Sequence, residues 1–213
     1  MSEDQSHTPE FLKGAMAPTG ITTFWVARHG DTDKYLKDGA LTTVAEKIID
    51  GEKHWYTQGG DNNNPLSAVG FAQALALAPL VATEPITNIR CSPVGRAVST
   101  GTLCQKVYIP MQFDDKLKEC GYGKWEYGYA PLAVFKGQDP DTQDSGEFSK
   151  NVMQALEACR ERGQLLVAHG NVVRTIAGAL GVSLSRADCA NAQLLRFEKP
   201  GAYWTVTNLS ATQ

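Results

Sequence analysis

The sequence predicts an α/β protein, a three-layer α/β/α sandwich built on a mostly parallel sheet. Three observations predict it. Short β-branched and apolar runs alternate with segments of helical periodicity. Two of those runs end in a histidine followed by a glycine. The chain has 213 residues, 42% of them hydrophobic and 20% charged, enough for one core that needs neither disulfides nor a structural metal.

Residues 1–20 read as a polar leader, with acids, no basic start and no apolar run of signal-peptide length. Residues 21–213 then form a single domain. Ile21 to Ala27 is a buried strand that runs directly into Arg28, His29 and Gly30. From about Asp31 to Asn64 the pattern fails, because four glycines and the DNNNP tract interrupt it, leaving one or two helical turns around Leu41 to Ile49. A loop of that length in a compact domain is functional or disordered.

Ser67 caps a helix whose apolar positions are Phe71, Ala74, Leu75 and Ala78, and Pro79 ends or kinks it. Ile86 to Cys91 is the second strand. Ser92 and Pro93 stand as N-cap and first residue of a helix running towards Lys106. Val107 to Phe113 is a third strand, and Asp114 to Gln143 is irregular and rich in Gly, Tyr and Trp. An amphipathic helix follows, with Phe148, Val152, Ala155, Leu156 and Cys159 on one face and Gly163 as its stop. Gln164 to Ala168 is a strand delivering His169 and Gly170. Asn171 caps the next helix, whose Val172, Val173, Ile176 and Leu180 point inward. Ala192 to Phe197 and Tyr203 to Thr207 complete the sheet.

Charge and composition narrow the function. Twenty Lys and Arg stand against 23 Asp and Glu, a net charge of −3, so no overall field draws the protein to nucleic acid or an anionic membrane. The longest apolar stretch, Ala74 to Ala82, is far short of the ~20 residues of a membrane span. Five cysteines, Cys91, Cys104, Cys120, Cys159 and Cys189, are odd in number and scattered, which suggests neither a disulfide framework nor a zinc site and points to a reducing cytoplasm. Homodimerisation stays open.

Both histidines fall at the carboxyl end of a buried strand, the edge of an open α/β sheet where ligands bind. One such histidine alone would read as a hydrogen-bonded core residue. Two, each beside a glycine that lets a ligand approach the backbone, weaken that reading.

Four motifs stand in order: RHG at Arg28–Gly30, SPVGRA at Ser92–Ala97, LKECGYGKWE at Leu117–Glu126 and AHGNVVR at Ala168–Arg174. Together they resemble the histidine phosphatase superfamily, in the branch of phosphoglycerate mutase and its cofactor-independent phosphatase relatives, from about Ile21 to Leu209. The resemblance implies a phosphoglycerate mutase-like fold and a phosphohistidine mechanism with no metal or cofactor. It makes His29 the nucleophile, with Arg28, Arg96 and His169 holding the phosphate oxygens. Glu119 becomes the acid that protonates the leaving oxygen and later deprotonates water, while Glu126 belongs to a structural Trp and Glu pair. Thr32 matches a phosphate-contacting position.

The physical chemistry agrees. Phosphoryl transfer needs an in-line nucleophile and positive donors on the equatorial oxygens. Arginine supplies a charged planar fork, and neutral imidazole is a good nucleophile near pH 7. One carboxyl group can serve as acid and base when a phosphate dianion nearby favours its protonated form. Arg96, in the first turns of its helix, lies where backbone amides also favour anions. The amide of Gly170 and the side chain of Asn171 add donors from the other helix start.

Departures from the family pattern bear on the substrate. Asp31 stands where Glu or Gln is frequent, Lys34 or Tyr35 replaces a common Asn, and the 31–64 excursion is longer than usual by about 20 residues. Competing motifs fail: GYGKWEYG has the wrong glycine spacing for a dinucleotide, and there is no Walker lysine, GxSxG or HExxH. His7 and His54 do not complete metal-ligand spacing with the other two histidines.

The expected function is hydrolysis of a small-molecule phosphomonoester through phospho-His29. A phosphomutase is the alternative, although mutases of the family carry a longer insertion than the 50 positions between Glu119 and His169. An inactive phosphate-binding scaffold would have no need of the acid. Both segments expected to rim the site, Asp31–Gly60 and Asp114–Lys150, hold more acids than lysines, so a polyanion should be repelled. Tyr35, Trp55, Tyr56, Trp125, Tyr127 and Tyr129 offer faces for a ring. The excursion is expected to cover the mouth and select a monophosphate with a sugar, nucleoside-like or aromatic body.

Overall fold

The computed structural model describes residues 20–60, 63–105 and 109–212; the leader, Gly20 apart, lies outside them. In chain order the elements are β1 (Thr23–Arg28), β2 (Lys34–Tyr35), β3 (Leu41–Thr42), β4 (Glu46–Ile49), β5 (Glu52–Thr57), α1 (Ala68–Thr83), β6 (Asn88–Cys91), α2 (Gly95–Cys104) and β7 (Met111–Phe113). Then come β8 (Gly128–Pro131), α3 (Leu132–Phe135), α4 (Ser145–Glu157), β9 (Gln164–Ala168), α5 (Gly170–Ala179), β10 (Leu194–Glu198) and β11 (Thr205–Asn208).

Six strands form the central sheet in the order β11-β10-β1-β9-β6-β7. β1, β9, β6 and β7 are parallel, and the last two strands of the chain are added antiparallel at one edge. Successive side chains of a strand point to opposite faces, so Phe24, Val26, Leu166 and Ala168 pack under α4 and α5. Trp25, Ala27, Leu165 and Val167 pack under α1 and α2. The result is the expected α/β sandwich. No helix among the described residues is long and apolar enough to cross a membrane.

Several local expectations are corrected. The excursion carries no helical turn at Leu41–Ile49: that stretch contributes β3 and β4, and β4 pairs with β5, which pairs with β8, in a small antiparallel sheet. The turn joining β4 to β5 is Asp50-Gly51, both with positive φ (51° and 82°), a combination that suits the twist of a two-residue hairpin. α1 is capped by Ser67 as expected, its Oγ accepting from Gly70 N, but it buries Gly70, Ala74, Leu77 and Val81. Phe71 and Leu75 lie on the open face, about half exposed, and the helix continues past Pro79 to Thr83.

α2 starts at Gly95, not after Ser92, whose hydroxyl accepts from Val94 N at 3.3 Å and also faces His169 Nε2. Its first amide, Gly95 N, donates to Asn63 Oδ1 at 2.8 Å instead. α4 ends at Glu157, before Gly163, and α5 begins at Gly170 with His169 as its N-cap residue, so Asn171 does not cap.

Candidate active site

Adjacent parallel strands place the two histidines side by side. In the β1/β9 register Arg28 faces Ala168, and His29 N donates to Ala168 O at 3.0 Å, so His29 and His169 leave the sheet together. Their rings lie 5.1 Å apart between centroids. Both are buried.

The turn after His29 is shaped by glycine. A β-carbon on Gly30 would stand 2.4 Å from Gly70 O, and one on Gly70 would stand 1.8 Å from Asp31 O, so the turn lies directly on the first turn of α1. Gly30 N donates to Thr100 Oγ1 at 3.0 Å, and that hydroxyl donates to Arg96 O at 2.8 Å. The nucleophile turn and the arginine's helix are therefore tied together.

His29 Nδ1 lies 2.7 Å from Gly30 O. A carbonyl can only accept, so Nδ1 carries the proton and Nε2 presents its lone pair. Arg96 Nε donates to that Nε2 at 3.3 Å, while Arg96 Nη2 donates to Gly59 O at 3.0 Å. Burial first, then the Arg96 and Arg28 guanidiniums, hold His29 well below the ordinary histidine range. Burial, Arg96, His29 and Arg28 do the same to His169. Both rings are thus neutral at pH 7. Arg96, fully buried, is pushed down by burial to about 10 and keeps its charge at neutral pH.

His169 Nε2 and Ser92 Oγ are 2.8 Å apart, and Nδ1 of His169 is buried without a partner. Arg28 Nη1 donates to Cys189 O, whereas Arg28 Nε is likewise buried and unpartnered. Unmade hydrogen bonds at buried atoms are costly. Here they belong to two groups suited to grip an anion.

Glu119 reaches the same cleft from the irregular segment between β7 and β8. Its Oε1 accepts from Cys120 N at 2.9 Å and its Oε2 from Asn171 N at 3.3 Å, at the N-terminus of α5. The Asn171 amide donates to Tyr122 OH at 2.6 Å, so Asn171 orients the loop as well as the acid. Glu126 accepts from Tyr122 N at 2.9 Å, and its carboxylate acts on the Arg96 guanidinium.

The cleft has a volume of about 260 Å³, and Arg28, His29, Thr32, Glu119, Gly170 and Asn171 all line it. Arg96 and His169 adjoin it through His29, the first by its bond to Nε2 and the second by ring contact. Thr32 Oγ1 accepts from Gln58 Nε2 at 2.8 Å. The structure thus brings all eight sequence-predicted site residues to one place. It adds Tyr56, Gln58, Tyr122, Phe135, Arg174 and Asn191. Tyr56 and Gln58 follow from the missed hairpin and its Asp-Gly turn. Asn191, whose amide donates to His29 O at 3.1 Å, had no signal of its own.

The family model described as histidine phosphatase superfamily (branch 1) matches residues 24–212. Agropine synthesis reductase of Rhizobium rhizogenes is 36% identical over 197 residues, 92% of this chain and 44% of that protein. The chain thus spans about half the length of the relatives of that name. Among solved structures, YhfR of Bacillus stearothermophilus superposes with a TM-score of 0.66 at 21% identity, covering 89% of this chain and 96% of its own. Phosphoglycerate mutase of Thermus thermophilus superposes with a TM-score of 0.60 at 22% identity, covering 88% and 99%. These two likenesses concern the fold.

Proposed function

The chain belongs to the histidine phosphatase superfamily (branch 1), and from that premise we propose that it is a phosphatase that hydrolyses a small-molecule phosphomonoester through phospho-His29. The observation that carries the reading is the state of His29: Nδ1 is held by Gly30 O, the ring is neutral, and Nε2 carries the lone pair, to which Arg96 Nε donates at 3.3 Å until a phosphate oxygen takes that donor.

In the first step Nε2 attacks phosphorus, the N–P bond forms, the P–O ester bond breaks, and Glu119 gives its proton to the departing alkoxide. In the second, Glu119 takes a proton from water, the water oxygen attacks phosphorus, and the N–P bond breaks to release phosphate. Arg28, Arg96 and His169 stabilise the equatorial oxygens in both transfers. The unpartnered Arg28 Nε and His169 Nδ1 are the donors left for this task.

Hydrolysis rather than mutase chemistry is supported by the short path from Glu119 to His169 and by the cleft's polar, open wall of Asp31, Lys34, Asn171 and Asn191. Water reaches such a site, and a phosphoenzyme there is short-lived. Phosphorylated compounds of agropine synthesis are the first substrates to screen, on the strength of the Rhizobium rhizogenes relative. A reducing cytoplasm suits the five free cysteines.

The experiment is turnover of p-nitrophenyl phosphate. The wild type should hydrolyse it, resist EDTA and be blocked by vanadate, and His29→Ala should be inactive. Wild-type activity in His29→Ala would remove the proposal.

A further inference from the structure

Arg174 is the cation of the cleft that phosphate chemistry leaves over. It stands one turn into α5, exposed, on the cleft wall. A β-carbon placed on Gly170 would be 3.5 Å from Arg174 Nη1 and 3.4 Å from Arg28 Cζ, so two guanidiniums flank one glycine. The two like charges oppose each other. The partners of Arg174 are neutral: Asn171 Oδ1 at 3.3 Å and the side chain of Cys189. Among the described residues it forms no salt bridge. Lys34, the other cation of the wall, is already paired with Asp31 at 3.7 Å.

Arg28 and Arg96 stand at the phosphoryl position, where Glu119 and Glu126 act on them, and Lys34 and Asp31 offset each other. Arg174 is the cation of the cleft wall outside these groups. It lies on α5, outside the two segments expected to form an acidic rim. A single planar guanidinium accepts a single carboxylate bidentately, whereas a second phosphate would bring two negative charges to one cation beside Asp31.

We propose that Arg174 is a carboxylate subsite, so that the substrate is a phosphomonoester whose carbon body carries a carboxylate group. This rests on the phosphatase reading above. The test compares O-phosphoserine with O-phosphoethanolamine, which share the phosphate, the two-carbon chain and the amine and differ by the carboxylate. Wild-type kcat/KM should favour O-phosphoserine by about tenfold or more, the worth of one charge-assisted pair. Arg174→Gln should bring the ratio to about one, chiefly through KM for O-phosphoserine, and Arg174→Lys should restore part of it. No preference in the wild type, or a preference kept in Arg174→Gln, overturns the subsite. If neither these esters nor p-nitrophenyl phosphate is turned over, the phosphatase reading falls. The subsite is then judged by calorimetric Kd for the same pair, where equal affinities overturn it and a tenfold gap lost in Arg174→Gln sustains it.

Discussion

Arg96 Nε donates to His29 Nε2 across 3.3 Å, and this bond joins a strand end to a helix 67 positions further along the chain. It requires a neutral imidazole, because a protonated Nε2 would have no lone pair to offer. The same guanidinium lies near His169 and is among the causes that keep that ring uncharged.

A pH dependence of stability follows. In the unfolded chain both histidines take up protons as pH falls through about 6.5; in the folded protein both are held well below that value. The unfolded state therefore binds more protons below about pH 6.5, and stability falls as pH falls. The slope is about 1.4 kcal/mol per pH unit for each histidine, or roughly 2.7 for both. Urea unfolding should show about half this slope near pH 6.5 and approach the whole of it by about pH 5.5, and His169→Gln should halve it throughout. A flat profile would mean the rings are charged in the folded state.

Glu119 is held by two backbone amides, Cys120 N and Asn171 N. Glu119→Gln keeps the shape of the side chain but cannot move a proton. Its kcat should fall by roughly 10² to 10⁴, the usual contribution of positioned proton transfer, while vanadate binds as in the wild type. Loss of vanadate affinity with kcat preserved would reassign the residue to binding.

Gly30→Ala puts a methyl group 2.4 Å from Gly70 O, and backbone on both sides cannot yield cheaply. Destabilisation of about 1 to 3 kcal/mol is expected, as for other overpacked sites, with a matching drop in Tm. Activity should fall too, since the displaced turn carries Gly30 O, the acceptor that orients His29. An unchanged Tm would show that the turn and α1 separate easily.

The sheet was legible because β1, β9 and β10 are short apolar runs whose periodicity leaves little choice, and Gln164–Ala168 matches its strand residue for residue. The site was legible because Arg28, His29 and His169 sit at the ends of those strands. Elsewhere distant partners decided the outcome. Ser92 looked like a cap, yet its hydroxyl serves His169, and Asn63 takes over at α2. Nothing local in α1 distinguishes Phe71 from Leu77, because the helix is apolar all round and only its neighbours choose the buried face. In the excursion, glycine count outweighed a hairpin signal, Asp50-Gly51, that was present.

The chemistry at His29 is open to the most direct test. After brief reaction with p-nitrophenyl phosphate and a denaturing quench at alkaline pH, the phosphorylated peptide can be mapped by mass spectrometry and the linkage read by phosphorus NMR. Since Nδ1 is bound to Gly30 O and Nε2 therefore carries the ring's lone pair, the account predicts one acid-labile phosphoryl group on His29, attached through Nε2. A linkage through Nδ1, a phosphoryl group on His169 or another residue, or active protein with no phosphoenzyme under any quench would contradict it.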